Sequence, residues 1–250
     1  MKFRWVFTVA LLVVMMPQSV FGGELDNSLF ADVLSRHLDK GLVDYTGLLA
    51  DRQPLDAYLD AIGKVDPASL SRNNRLAFYI NLYNATTLRL IIDHYPVDSI
   101  KDIGSFFSSP WKKDVVVLNG QRVTLDHIEH GIIRPLFKEA RVHFALNCTA
   151  MSCPPLLPEP YEGDMLEEQF QLVAIGYIND GKNNYLDGKT LYVSKIFDWF
   201  SEDFPDDFVS WFSQFAEGDL RDDLEKVKAQ GVKLKVRFLK YDWGLNDPAR

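Results

Sequence analysis

The sequence predicts an α+β fold: a single domain of helices packed on a small antiparallel sheet with two β-hairpins. Three observations predict it. Residues 71–95 form one long segment, apolar almost all round over 76–82, the pattern of a central and buried helix. Residues 115–125 set short extended runs on either side of the tight-turn pair Asn119-Gly120, and residues 184–193 offer a second hairpin. Helical and extended segments do not alternate regularly, which argues against a parallel sheet of βαβ units.

The elements follow in order. Lys2 and Arg4 precede an almost wholly apolar run over 5–16, which Pro17 breaks before Val20-Phe21-Gly22. That order is the pattern of a secretory signal peptide over 1–22, leaving a single α+β domain over 23–250. The run is shorter than the roughly 18 apolar residues a spanning helix needs. The product is therefore expected in the periplasm or outside the cell, and not across a membrane. Residues 28–40 read as a helix with Phe30, Val33, Leu34 and Leu38 on one face. Val43, Asp44 and Tyr45 read as extended, and 55–62 as a helix that Gly63 stops. After the first hairpin, Thr124 is placed to cap a helix over 125–134 that Pro135 helps to end. The apolar run carrying His143 reads as a strand. Helices over 164–178, 206–216 and 218–229 and a last strand over 232–241 complete the chain.

Composition narrows the class. Of 250 residues, 47% are hydrophobic and 13% aromatic, values of a globular core rather than a disordered chain. The formal charge of −8 repels phosphate backbones, so nucleic acid is not an expected partner. Two cysteines are too few to build a disulfide scaffold, so the core must supply most of the stability.

Chemistry concentrates in Arg141-Val-His-Phe-Ala-Leu-Asn-Cys-Thr-Ala-Met-Ser-Cys-Pro-Pro-Leu156, which holds both cysteines and His143. A thiol beside an imidazole at the end of a buried run is a layout for nucleophilic catalysis. On an ideal strand His143 and Cys148 would face opposite sides, so the chain must turn after Leu146 for them to meet. A short helix over 149–152 would put Cys148 at its N-terminus, where free N–H groups lower a thiol pKa. The competing layout is a Cys148–Cys153 disulfide closing a tight loop, which the exported context favours.

Further candidates lie upstream. Asp126-His-Ile-Glu-His130 offers Glu129 to orient an imidazole and His130 as a rival base. Asn81 and Asn84 sit three apart on the long helix, where a buried amide either binds loop backbone or assists catalysis. His127 and His130 with His143 and Cys148 lack the standard zinc spacings, so no metal or other cofactor is expected.

Leu76-Ala-Phe-Tyr-Ile-Asn-Leu-Tyr-Asn-Ala85, Leu125-Asp-His-Ile-Glu-His130, Val142-His-Phe-Ala-Leu-Asn-Cys148 with its continuation to Leu156, and Ser194-Lys-Ile-Phe-Asp-Trp-Phe200 together resemble domain-of-unknown-function family 547. The resemblance runs over about 43–245. It implies one α+β domain, with the family's Glu-His pair at Glu129 and His130, its histidine at His143 and its first cysteine at Cys148. The family has been compared with papain-like cysteine peptidases. Here histidine precedes cysteine, so any such relation would be a permuted one. Two functions remain open. One is a cysteine-dependent hydrolase or acyl-transfer enzyme acting on a small molecule or peptide, with Cys148, His143 or His130, Glu129, and Asn84 or Asn81. The other is a non-catalytic binding or scaffold domain stapled by a Cys148–Cys153 disulfide.

Overall fold

The computed structural model describes residues 25–105 and 108–249. The proposed signal peptide lies outside the described residues. Helix α1 (Ser28–His37) leads into the short pair β1 (Leu38–Asp39) and β2 (Leu42–Val43), then α2 (Tyr45–Ala50) and α3 (Gln53–Ile62). The extended piece expected to reach Tyr45 stops at Val43, because Asp44 caps α2 by accepting from the Gly47 N–H at 2.8 Å.

Helix α4 (Arg72–Ile92) is the centre of the molecule. Ser71 Oγ accepts from the Asn74 N–H and starts it. Every residue over 76–88 is buried, as the absence of a polar face predicts. Phe78, Ile80 and Leu82 are each worth about 1.5–3 kcal/mol of transfer free energy when fully buried. Against α4 pack α2, α3 and the strand β3 (Asp114–Leu118).

Strand β3 pairs with β4 (Gln121–Thr124) across Asn119 and Gly120, both at positive φ, as the Asn-Gly pair predicts. The next helix is not a plain α-helix. Residues His127–Ile133 wind as a π-helix, with Thr124 Oγ1 capping the His127 N–H at 2.9 Å. The Arg134 N–H reaches back to Glu129 O, five residues earlier. Helix α5 (Arg134–Phe137) continues it, so Pro135 opens a new turn instead of ending the helix.

Helix α6 (Leu166–Ile178) follows, then the second hairpin, β5 (Tyr185–Asp187) and β6 (Thr190–Val193). Helices α7 (Ile196–Trp199), α8 (Phe208–Ser213) and α9 (Gly218–Ala229) and strand β7 (Lys235–Phe238) end the ordered elements. The fold is α+β, with a helical core and small sheets. Its hairpins are antiparallel, while β7 joins β6 in parallel, pairing Thr190 with Lys235 and Val193 with Phe238.

The C-terminal segment then crosses back to the cysteine loop. Asp242 O and Gly244 O accept from the N–H groups of Ser152 and Met151, and the Asn246 N–H donates to Thr149 O at 2.9 Å. Tyr45 Oη holds Asn246 Oδ1 at 2.7 Å, which anchors this return to the core.

Candidate functional site

The run carrying His143 is a 3-10 helix (Ala140–Phe144), not a strand. Ala145 and Leu146 both donate N–H to Val142 O, closing the turns. All five residues over 142–146 are buried. An apolar run buried on every side carries no period, so its sequence does not separate strand from helix. With the run wound as a 3-10 helix, His143 and Cys148 line the same cavity instead of facing opposite sides.

Residues 149–152 do not form the expected short helix. Thr149 instead takes φ +64°, a left-handed conformation that costs a β-branched residue of order 1–3 kcal/mol. Three contacts hold it there. Its N–H donates to Asn147 Oδ1 at 2.8 Å, its hydroxyl donates to Cys148 O at 2.6 Å, and its carbonyl takes the Asn246 N–H. The strain therefore sits on the residue next to Cys148 and sets the direction of the loop.

Asn81 and Asn84 of α4 are both engaged with backbone. Asn81 accepts from the Tyr161 N–H and donates to Tyr161 O, each at 2.8 Å. Asn84 donates to Ala145 O and accepts from the Asn147 N–H, each at 2.9 Å. They bind loop backbone and are not part of the cavity wall. Asn84 nevertheless clamps the segment that presents Cys148.

Cys148 is half-buried and Cys153 buried, and both are free thiols. The Cys148 sulfur lies 3.2 Å from Tyr241 Oη, and the Cys148 N–H donates to the Cys153 sulfur at 2.8 Å. Burial alone would raise the Cys148 pKa. Hydrogen bonds from the Cys153 thiol, the Tyr241 hydroxyl and the Ala150 backbone outweigh it, and the net shift is downward. The donors are thus a neighbouring thiol, a distant tyrosine and the loop, not a helix N-terminus. Cys153 is pushed well above the ordinary thiol value, chiefly by burial and then by its proximity to Cys148. Burial also raises Tyr241, with the two cysteine charges adding to it, so the phenol keeps its proton and can donate.

A cavity of about 230 Å³ opens beside this sulfur. Glu129, His130 and His143 line it, and Trp199, Tyr241 and Trp243 give it an aromatic wall. His143 is buried, stacked 4.0 Å from Phe200, and its Nε2 lies 2.6 Å from Asp203 Oδ2. Because a carboxylate only accepts, this bond assigns the proton to Nε2 and leaves Nδ1 as the basic nitrogen. Arg134 Nε donates to the same carboxylate oxygen. Partial burial would raise Asp203, but the bonds from His143 and Arg134 hold it well below the usual carboxylate range. Asp203 is therefore an anion throughout the neutral range.

The other predicted carboxylate does something else. Glu129 is buried by the π-helix and accepts from the Tyr83 hydroxyl at 3.1 Å, with no bond to an imidazole among the described residues. Asp203, not Glu129, orients His143. His130 is exposed, and its Nδ1 accepts from an Arg134 guanidinium nitrogen at 2.8 Å. That bond occupies the nitrogen a general base would use. Neither imidazole hydrogen-bonds the Cys148 sulfur among the described residues. Asp203, Arg134 and Tyr241 were not singled out from the sequence. Asp203 lies in the acidic pair Glu202-Asp203 just after the Phe-Asp-Trp-Phe motif, the only nearby signal. Tyr241 carries none.

Residues 67–178 match the model of a family described as "Protein of unknown function, DUF547". This segment is similar to the DUF547 family. The DUF547 match takes in α4, the π-helix with Glu129 and His130, the His143 turn and both cysteines. It stops before Asp203 and Tyr241, and a third of the cavity lining, Ile196, Trp199, Phe200, Tyr241 and Trp243, comes from outside the matched DUF547 segment. No curated protein and no solved structure matches the chain.

Proposed function

We propose that this chain is an exported cysteine-dependent hydrolase or acyl-transfer enzyme, of permuted papain-like chemistry, acting in the periplasm or outside the cell. The observation that carries the reading is the Cys148 sulfur on the cavity wall, hydrogen-bonded by Tyr241 and with its pKa lowered. The thiolate is the nucleophilic form of cysteine, and its fraction at neutral pH rises as the pKa falls. His143 supplies a base on the same cavity, and Asp203, bonded to its Nε2, supplies the orienting carboxylate.

In this mechanism Cys148 Sγ attacks an acyl carbonyl carbon. The His143 imidazole takes the Cys148 thiol proton as the S–C bond forms, then delivers it to the leaving nitrogen or oxygen as the bond to that atom breaks. Water, deprotonated by the same imidazole, then splits the thioester and restores the thiol. The positive charge that develops on His143 faces the Asp203 carboxylate. A cavity of about 230 Å³ suits a small acyl group or a peptide side chain.

Iodoacetamide alkylation with mass mapping tests the reading. At pH 6 Cys148 should label at least about tenfold faster than Cys153, since its thiolate is favoured over the free thiol of pKa about 8.5. His143→Ala should slow the labelling. Equal and slow reaction of both thiols, unchanged in His143→Ala, would sink the catalytic reading. The exported location rests on residues 1–22, and N-terminal sequencing of periplasmic protein should start near Gly23. An intact Met1 would refute it.

A further inference from the structure

Acyl transfer needs one sulfur, yet the cavity holds two. Cys153 has no step in the mechanism above, although its sulfur accepts the Cys148 N–H at 2.8 Å and lines the same cavity. The loop between them is already folded back on itself. The Cys153 N–H closes a turn onto Ala150 O at 2.9 Å, and Thr149 holds its left-handed conformation at the other end. The C-terminal return pins the middle of the loop through Met151 and Ser152. Two free thiols are thus held side by side on a braced turn, with no pairing bond between them.

We propose that Cys148 and Cys153 form a dithiol–disulfide couple that reduces small disulfides, an activity distinct from acyl transfer. Their environments divide the roles. Cys148 is half-buried on the cavity wall, where a disulfide can reach its sulfur; Cys153 is buried behind it at 7% exposure. Cys148 Sγ attacks one sulfur of R–S–S–R. The substrate S–S bond breaks, a Cys148–S–S–R mixed disulfide forms, and R–S⁻ departs. The departing thiolate takes the Cys153 proton. Cys153 Sγ then attacks Cys148 Sγ, the mixed disulfide breaks, and a second R–S⁻ leaves and is protonated by solvent. The protein loses two electrons and two protons, and the substrate becomes two R–SH. A dithiol reductant reverses both steps and restores the couple. The raised thiol pKa of Cys153 keeps it protonated until that second step, and the hydrogen bond from Tyr241 holds the Cys148 sulfur on the cavity wall for the first.

The experiment incubates reduced wild type, Cys148→Ala and Cys153→Ala with hydroxyethyl disulfide at pH 7, followed by intact mass and peptide mapping. Wild type should lose two hydrogen masses and yield a linked peptide containing Cys148 and Cys153. Cys153→Ala should stop at a mixed disulfide on Cys148, and Cys148→Ala should form any adduct at least about tenfold more slowly, because the entry sulfur is gone. Cys153→Ser, with the melting curve of each variant, guards against loss of fold. A wild type that stops at the mixed disulfide, or that forms no adduct while its variants remain folded, overturns the couple. Acylation of Cys148 by p-nitrophenyl acetate reports separately on the hydrolase reading, so either activity can fail without the other.

Discussion

The decisive side chains are held by partners that leave each one a single free role. The Nε2 bond to Asp203 assigns the His143 tautomer, and the π-stack on Phe200 sets the ring plane. Asp203 in turn is shared with Arg134. Its depressed pKa links it to stability with a definite sign. The ionised carboxylate stabilises the folded state fully above the unfolded aspartate value of about 3.9, and the contribution is lost as pH falls toward the lower folded value. Asp203→Asn should therefore cost about 1 kcal/mol at pH 7, a figure reduced for solvent screening at a partly exposed group. Urea unfolding should show that gap constant from about pH 7 to pH 5 and shrinking below about pH 4. A gap that widens in acid would contradict the assignment. Cys148 and Glu129 were both visible as candidates in the sequence, but their partners were not. Residue type announces what chemistry is available, while a hydrogen bond between positions 60 apart, as in His143–Asp203, leaves no local pattern.

Two elements carry the site, and the sequence described them unequally. Helix α4 was legible almost to its ends, because an apolar segment of that length with Ser71 as cap has one stable form. Its asparagines were legible as a choice between two uses, and the hydrogen bonds decide for the loop. Asn84→Ala should thus behave as a structural lesion. It leaves Ala145 O and the Asn147 N–H buried without their partner, at about 1–3 kcal/mol each. Denaturant unfolding should show about 2–4 kcal/mol lost, and hydrogen exchange should rise at the amides of 145–149. A stable variant with only its acylation impaired would instead mark the amide as catalytic. The π-helix was not legible. A seven-residue stretch over His127–Ile133 has the composition of an α-helix, and the wider turn changes only which side faces inward. That change buries Glu129 against Tyr83 and leaves His130 exposed beside Arg134.

At the scale of the molecule, the site is made by closure of the chain on itself. Tyr241 and Trp243 come from the last segment, which β7 delivers by joining β6 in parallel. The isolated bridge between Ala150 and Leu245 then ties that segment to the cysteine loop. Among the described residues no helix is long and apolar enough to cross a membrane. By itself the sequence determined the α+β class, the central helix, both hairpin turns and the neighbourhood of Cys148 and His143. Each of these rests on local periodicity, turn chemistry or adjacency in the chain. Only the tertiary structure decided that the His143 run is helical, that the thiols are free, that Asp203 holds the imidazole and that Tyr241 holds the Cys148 sulfur. Those outcomes depend on burial from every side and on contacts between remote segments, and packing sets both after local preferences are satisfied.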